Sequence, residues 1–361
     1  MTQPEATTRV SQPTAATPPT PRRSAPARRL AAGLAFDRIG AVYVWIGIAL
    51  IFSVWVPDQF PTAATAKQVL NSNAITALAA LSIIIPLATR VFDLAFAFTM
   101  TLSGVTAAHF VAVGSPLSVA VALGLLVGLG TGLINALVVV AMRIDSFIAT
   151  LATGSLIQSL ITMATGDTPI QDLKLAGPFS KIGQTEVGGV TLPVLYAVVV
   201  ALGIWYLLEH TATGRRLYAA GFNPDAARLA GVRVDRLRFT SLIASGGLAG
   251  VTGVVLASML QSGSPSAGTP YLLPAFAAAF LGATQLKHGR FNSWGTIIAV
   301  LLLGTGTTGL GLASAPQWAA NMFVGVVLIA ALAVTGVQRR ATRRGGGRER
   351  LLARMRRRPE D

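Results

Sequence analysis

Few side chains here are equipped for covalent or proton-transfer chemistry. The chain has no cysteine, which removes thiolate nucleophiles, thiolate metal ligands and disulfides together. Its three histidines, His109, His210 and His288, fall on separate segments, so packed or interfacial histidine is expected rather than a metal site. No G-x-x-x-x-G-K-[ST] phosphate loop, no H-E-x-x-H and no G-x-S-x-G occurs. An enzyme active site is not supported, and no cofactor or metal is expected to bind this chain directly. What remains is hydrogen-bonding chemistry inside apolar runs. Asn135, Thr150, Thr153 and Gln158 stand mid-run, with Thr150 and Thr153 one helical turn apart. Such groups can bond the hydroxyls of a polar neutral solute without burying a charge, which makes them candidate pathway-lining residues; the same groups also serve helix–helix bonding. Asp93 follows Arg90 at the start of an apolar run. It reads either as an N-cap or as a fixed structural turn that orients the next span.

The elements that must position these groups are hydrophobic helices. The 361-residue chain is 52% hydrophobic and only 12% charged, with a mean hydropathy of +0.61. A soluble chain of this size carries about twice that charge fraction. Ten apolar runs occur, at 39–56, 69–89, 93–113, 117–141, 146–165, 191–209, 239–260, 271–286, 293–312 and 317–337. Most reach the roughly 20 residues needed to cross a bilayer. The eighth is short and begins near Pro270 and Pro274, which predicts a tilted, broken or partly re-entrant segment. The fold expected is all-α: a polytopic integral membrane protein with about ten transmembrane helices. Residues 1–38 form a basic tail without apolar periodicity, expected to be disordered. Residues 39–337 form the membrane domain, and 338–361 an Arg-rich tail.

Charge placement orients the spans. With the N-terminus in the cytoplasm and ten alternating spans, 26 of the 29 Lys and Arg residues fall on the cytoplasmic side. That asymmetry predicts both termini inside. The net charge of +15 then reads as attraction of the tails to anionic membrane lipid, with no nucleic acid as partner. The largest outside segment, 166–190, is polar and near neutral, and is a candidate contact for an external partner.

The cytoplasmic loop 210–238 contains a short helix signal. Asn223 suits the N-cap, Pro224 the first helical position, and Gly231 the left-handed stop. Pro224–Ala230 is about 10 Å long, too short to cross, and is read as a surface helix open to a docking partner. Ala226, Leu229 and Ala230 give it a small apolar face at i, i+3 and i+4, suited to a groove. Asp225, Ala227 and Arg228 complete the turn, with Asp225 and Arg228 placed to pair at the rim of that groove. Elsewhere Gly124, Gly128 and Gly132, and likewise Gly246 and Gly250, recur every four residues and predict close helix packing.

Four stretches together resemble the ribose/xylose-type sugar permeases of binding-protein-dependent ABC importers. GRRLYAAGFNPDAARLAGV (214–232) resembles their cytoplasmic loop. DSFIATLATGSLIQSLITMATGDTPI (145–170) and FLGATQLKHGRFNSWGTIIAVLLLG (280–304) resemble their fifth-span and C-terminal glycine-rich regions. VFDLAFAFTM (91–100) resembles a segment that the family writes Gly-Gly-Ile-Asp-Leu-Ser-Val-Gly; here Val91 and Phe92 replace the glycine pair. The resemblance covers about residues 40–335. It implies a transport subunit in a bacterial plasma membrane, working with a separate ABC ATPase subunit that uses the ATP. It also implies an extracytoplasmic solute-binding protein and a second permease, identical or an unlike paralogue. Asn223–Gly231 takes the role of the coupling helix that contacts the ATPase. The implied cargo is a monosaccharide or related polyhydroxylated solute. The alternative is an ion-coupled secondary transporter of a small polar solute, against which stands the lack of a central carboxylate or base in any span. A membrane enzyme acting on lipid-linked substrates lacks paired catalytic groups.

Overall fold

Apolar composition becomes helix here because a chain in lipid must satisfy its backbone internally. A computed structural model describes residues 36–284 and 289–330. Its helices in order are α1 (Phe36–Trp55), α2 (Ala63–Ala88), α3 (Phe96–Ala112), α4 (Leu117–Ala136), α5 (Ser146–Thr165) and the single turn α6 (Lys181–Gln184). There follow α7 (Leu192–His210), α8 (Ala212–Phe222), α9 (Pro224–Leu229), α10 (Val234–Leu260), α11 (Leu272–Thr284) and α12 (Ser293–Leu312). A last apolar helix, α13, covers Gln317–Ala330. Residues 1–35 of the tail expected at 1–38, the tail at 338–361, the end of the tenth run, and Lys287 and His288 lie outside the described residues; residues 36–38 already belong to α1.

Among the described residues, six helices are long and apolar enough to cross a membrane: α2, α4 with its π-helical extension to Ala141, α5, α7, α10 and α12. Four shorter apolar helices, Val42–Trp55, α3, Thr269–Thr284 and α13, coincide with the remaining runs. Large side chains such as Leu126, Ile134, Leu156, Met163 and Val199 stay exposed on the outer faces. So broad an apolar exterior belongs to a lipid-facing surface, and the chain is a multi-pass membrane protein.

Two helices form the centre. α2 buries an unbroken stretch from Ala74 to Ala88, against α7, α11 and α12. α10 packs against α2, α3 and α4. Glycine makes the α4–α10 approach possible. A methyl group at Gly128 would lie 2.6 Å from both the Gly246 carbonyl oxygen and Gly250 Cα, and one at Gly132 would lie 2.7 Å from the Leu242 oxygen. Ser103 on α3 joins this contact: its hydroxyl is 2.7 Å from the Gly124 carbonyl on α4 and 2.8 Å from the Gly250 carbonyl on α10. Hence the expected glycine faces meet each other, with a serine of α3 bridging the backbones of both helices.

Several boundaries differ from the sequence reading, each for a local reason. The second helix begins at Ala63 rather than 69, because Thr62 caps the Thr65 N–H at 3.1 Å. The third begins at Phe96 rather than 93, because residues 91–95 are unwound. The seventh apolar run belongs to a helix that starts at Val234, five residues before the run itself. The eighth comprises a 3-10 turn, Thr269–Tyr271, and the 13-residue α11. At about 1.5 Å per residue α11 spans about 20 Å, short of the ~30 Å hydrocarbon core. The segment between α5 and α7, expected outside from charge, contains a two-stranded ribbon, β1 (Glu186–Val187) and β2 (Val190–Thr191), antiparallel with Glu186 opposite Thr191. Gly188 and Gly189, with φ of +65° and +82°, supply the left-handed turn that such a ribbon needs.

Candidate functional site

The cytoplasmic loop predicted from charge folds as two helices, not one. α8 carries little signal in the sequence because its polar residues mask a narrow apolar stripe. Thr211 caps it through Gly214 N at 3.1 Å, and Leu217, Tyr218, Ala220 and Gly221 turn inward. The fit is close at Gly221, where a β-carbon would collide with the carbonyl oxygen of Ala88 at the end of α2. The Tyr218 hydroxyl donates to the Phe291 carbonyl oxygen at 2.8 Å. Burial pushes its phenol well above the ordinary tyrosine value, with Glu209 adding to the rise, so it stays a donor. Arg290 lies over both the Tyr218 and Phe222 rings, at 5.4 and 5.2 Å, the geometry of cation–π attraction. α8 is thereby fastened to the end of α2 and to the segment before α12.

α9 follows with the predicted caps. Asn223 Oδ1 accepts from Ala226 N at 3.1 Å, and Pro224 occupies the first turn. Gly231 has φ +81°. The Gly231 N–H donates to Arg228 O and the Val232 N–H to Ala227 O, both at 2.9 Å, which closes the helix in a Schellman motif. Ala227 is buried in a small cluster with Ala220 and Val234, flanked by Val232 and Leu237. That corrects its grouping with the docking residues: it anchors α9 to its own chain. Ala226, Leu229 and Ala230 face outward, Leu229 at 91% exposure. Arg228 does not wait for an outside partner. It pairs within the chain with Asp235 at 3.0 Å and Asp225 at 3.3 Å.

The second constellation surrounds Asp93. α2 ends in its own Schellman closure, with Val91 N to Pro86 O and Arg90 N to Leu87 O, both at 3.0 Å. Arg90 takes the left-handed position with φ 59°. The chain then runs unwound to Ala95 inside the helix packing, which exposes backbone donors that a helix would have satisfied. α5 supplies substitutes: Ser146 Oγ accepts from Phe92 N at 3.1 Å, and Thr150 Oγ1 from Leu94 N at 3.0 Å. Asp93, 1% exposed, accepts from Ala95 N at 3.1 Å, from Ser245 Oγ of α10 at 2.7 Å, and weakly from Asn135 Nδ2 of α4 at 3.4 Å. Thr153 Oγ1 in turn donates to Asn135 Oδ1 at 2.5 Å.

Three of the four candidate pathway residues, Asn135, Thr150 and Thr153, are therefore brought together with Asp93 and are bonded to one another or to backbone. Asp93 lies in the unwound turn before α3 and bonds α4 and α10 as well as its own segment, a hub rather than a simple cap. Gln158 lies apart. Its Nε2 donates to Pro265 O at 3.2 Å, and its Oε1 is buried with no hydrogen-bond partner among the described residues. No local pattern marks Ser146 and Ser245, since a serine in an apolar helix most often bonds its own preceding turn. His109 and His210 sit on separate helices against aromatic rings, Phe110 for the first and Trp205 and Tyr206 for the second.

Comparison with known proteins agrees with this anatomy. The ribose import permease RbsC of Escherichia coli K12 is 32% identical over 286 residues, covering 79% of this chain and 89% of that protein. RbsC of Bacillus subtilis 168 is 32% identical over 285 residues, covering 79% and 88%. The L-arabinose transport system permease AraH of E. coli K12 is 29% identical over 323 residues, covering 88% and 96%. All three are named as permeases and none as an enzyme. Residues 65–332, which contain both the Asp93 hub and the α8–α9 loop, match the family described as branched-chain amino acid transport system / permease component, and the chain belongs to that family.

Proposed function

We propose that the chain is the membrane permease subunit of an ATP-driven ABC importer that carries a monosaccharide, or a related polyhydroxylated solute, across a bacterial plasma membrane. The names of its relatives, ribose import permease and L-arabinose transport permease, support a pentose-sized cargo. In this reading the chain crosses ten times with both termini in the cytoplasm, as its charge asymmetry favours. A separate ABC ATPase uses the ATP, and this chain holds no cofactor itself. A solute-binding protein delivers the sugar to the outer side, and a second permease, a copy or an unlike paralogue, completes the pore.

One observation carries the coupling role: the face Ala226, Leu229, Ala230 on a helix whose opposite side is anchored by Ala227. A leucine exposed this fully gains about 2 kcal/mol on burial, and a partner groove provides that burial. Motion at α9 then has a route inward. α8 is fastened to the end of α2, and α2 leads directly into the unwound segment and the Asp93 hub. Asn135, Thr150 and Thr153 act in this reading as the support of that segment. Gln158, with its unpartnered oxygen, is the better candidate to accept from a sugar hydroxyl.

The test uses the permease reconstituted with its ATPase and binding protein. Leu229→Asp is expected to leave membrane insertion intact and to lower ATP-driven sugar uptake about tenfold or more, the loss that corresponds to ~1.4 kcal/mol or above at the docking face. Ala227→Asp is expected to fail differently, by reducing the amount of folded permease. Undiminished uptake in Leu229→Asp would sink the assignment of α9 as the coupling helix.

A further inference from the structure

A cavity of about 560 Å³ lies between the ends of the helices beside α9, and it is lined by four arginines, Arg90, Arg143, Arg228 and Arg238, together with Asp145 and Asp235. Both carboxylates are already engaged. Asp235 accepts from Arg228, and Asp145 caps α5 through Phe147 N and Ile148 N at 3.0 and 3.3 Å. The cavity therefore carries an excess of positive charge. Arg238 Nε is buried and has no hydrogen-bond partner among the described residues. An orphaned buried donor is costly unless something accepts from it.

Backbone conformation adds an independent sign. Arg90 and Arg143 both have left-handed backbone, with φ of 59° and 57°, where glycine or asparagine is the easy choice. Two strained positions on one cavity, each filled by arginine, indicate that the charge is wanted there. What borders the cavity names the ligand. Next to Arg143 and Asp145 in the chain, Met142, Ile144, Phe147 and Ile148 are all exposed. A phosphate seated among guanidiniums, with apolar side chains alongside, matches an anionic phospholipid: headgroup in the cavity, acyl chains along residues 142–148.

We infer that this cavity is a binding site for the headgroup of an anionic phospholipid from the cytoplasmic leaflet. The inference rests on the orientation proposed above, which puts Arg90, Arg143 and Arg228 at the cytoplasmic surface. A bound phosphate bridges the turn after α2, the α4–α5 turn, α9 and the start of α10. It thus ties the coupling helix to the Asp93 hub.

The experiment takes the purified full-length permease in detergent, adds phosphatidylglycerol, phosphatidylcholine or inorganic phosphate, and counts bound molecules by native mass spectrometry. Wild type is expected to retain phosphatidylglycerol over phosphatidylcholine by about tenfold. Arg143→Asn, which suits the left-handed backbone, and Arg238→Gln are each expected to lower that preference about fivefold, while Arg238→Lys keeps most of it. Replacing Arg356, Arg357 and Arg358 of the tail by Gln is expected to leave it unchanged. Equal retention of the two lipids, an unchanged preference in Arg143→Asn, or displacement of phosphatidylglycerol by millimolar inorganic phosphate overturns the assignment. The measurement needs neither ATPase nor sugar, so its failure leaves the transport reading standing, and failure of uptake leaves the lipid site standing.

Discussion

Asp93 shows how a single residue makes an irregular segment tolerable inside a helix bundle. Val91 N still reaches back to Pro86 O and Ala95 N bonds the Asp93 carboxylate, but Phe92 N and Leu94 N have no such local acceptor, so side chains from α5 supply one. The key acceptors are hydroxyls one turn apart, Ser146 and Thr150, on the same face of α5. A buried donor left without its acceptor costs about 1–3 kcal/mol. Thr150→Val keeps the shape and removes the acceptor for Leu94 N. It is expected to lower the stability of the purified permease by about that amount in thermal or denaturant unfolding. Thr150→Ser, which retains the hydroxyl, is expected to restore most of it. No difference between the valine and serine variants would mean that Leu94 N finds another acceptor.

At the scale of elements, backbone proximity dominates. α4 and α10 approach through Gly124, Gly128, Gly132, Gly246 and Gly250, and Ser103 places α3 against both carbonyl rows. Without a hydrophobic driving force between helices in lipid, such close approach supplies much of the association energy. Gly128→Val inserts branched carbon where even a methyl group lies 2.6 Å from two backbone atoms. The expected result is a loss of about 1–3 kcal/mol, read as a lower unfolding midpoint. Gly130→Val, on a face with open space around it, serves as the control and is expected to change little. α9 follows the opposite rule. It packs by one buried residue, Ala227, and leaves its apolar side uncovered, as suits the docking role proposed for it.

The whole molecule links these parts in one direction. α9 and α8 rest on the end of α2, α2 ends at Arg90, and the unwound segment joins it to α3 and to the hub on α10. The absence of cysteine in the chain makes its orientation directly measurable. Single cysteines introduced as Thr168→Cys and Leu229→Cys are expected to react differently with a membrane-impermeant maleimide in intact cells. Position 168 labels at once, and position 229 only after permeabilisation. Labelling of 229 from outside would overturn the orientation and the cytoplasmic placement of the arginine cavity with it.

Much of this was legible in the chain. Apolar runs, Lys and Arg asymmetry and the spacing of caps and glycines are local properties, set by bilayer thickness, by charge at the membrane surface and by backbone conformation at one residue. They gave a polytopic helical protein, the capped helix Asn223–Gly231 and its outward Ala226, Leu229 and Ala230. Other features depend on which distant groups come within hydrogen-bonding range, and no local pattern encodes that. Ser245 reaching Asp93 across 152 positions, Ala227 turning inward, Arg228 paired with Asp235, and Asn135 and Thr153 bonded to each other were decided by tertiary packing. A mid-span polar residue has the same sequence signature whether it meets a solute or another helix. Only the neighbours it finds in the folded bundle distinguish the two, and at Asp93 those neighbours include side-chain donors from two other helices, α4 and α10.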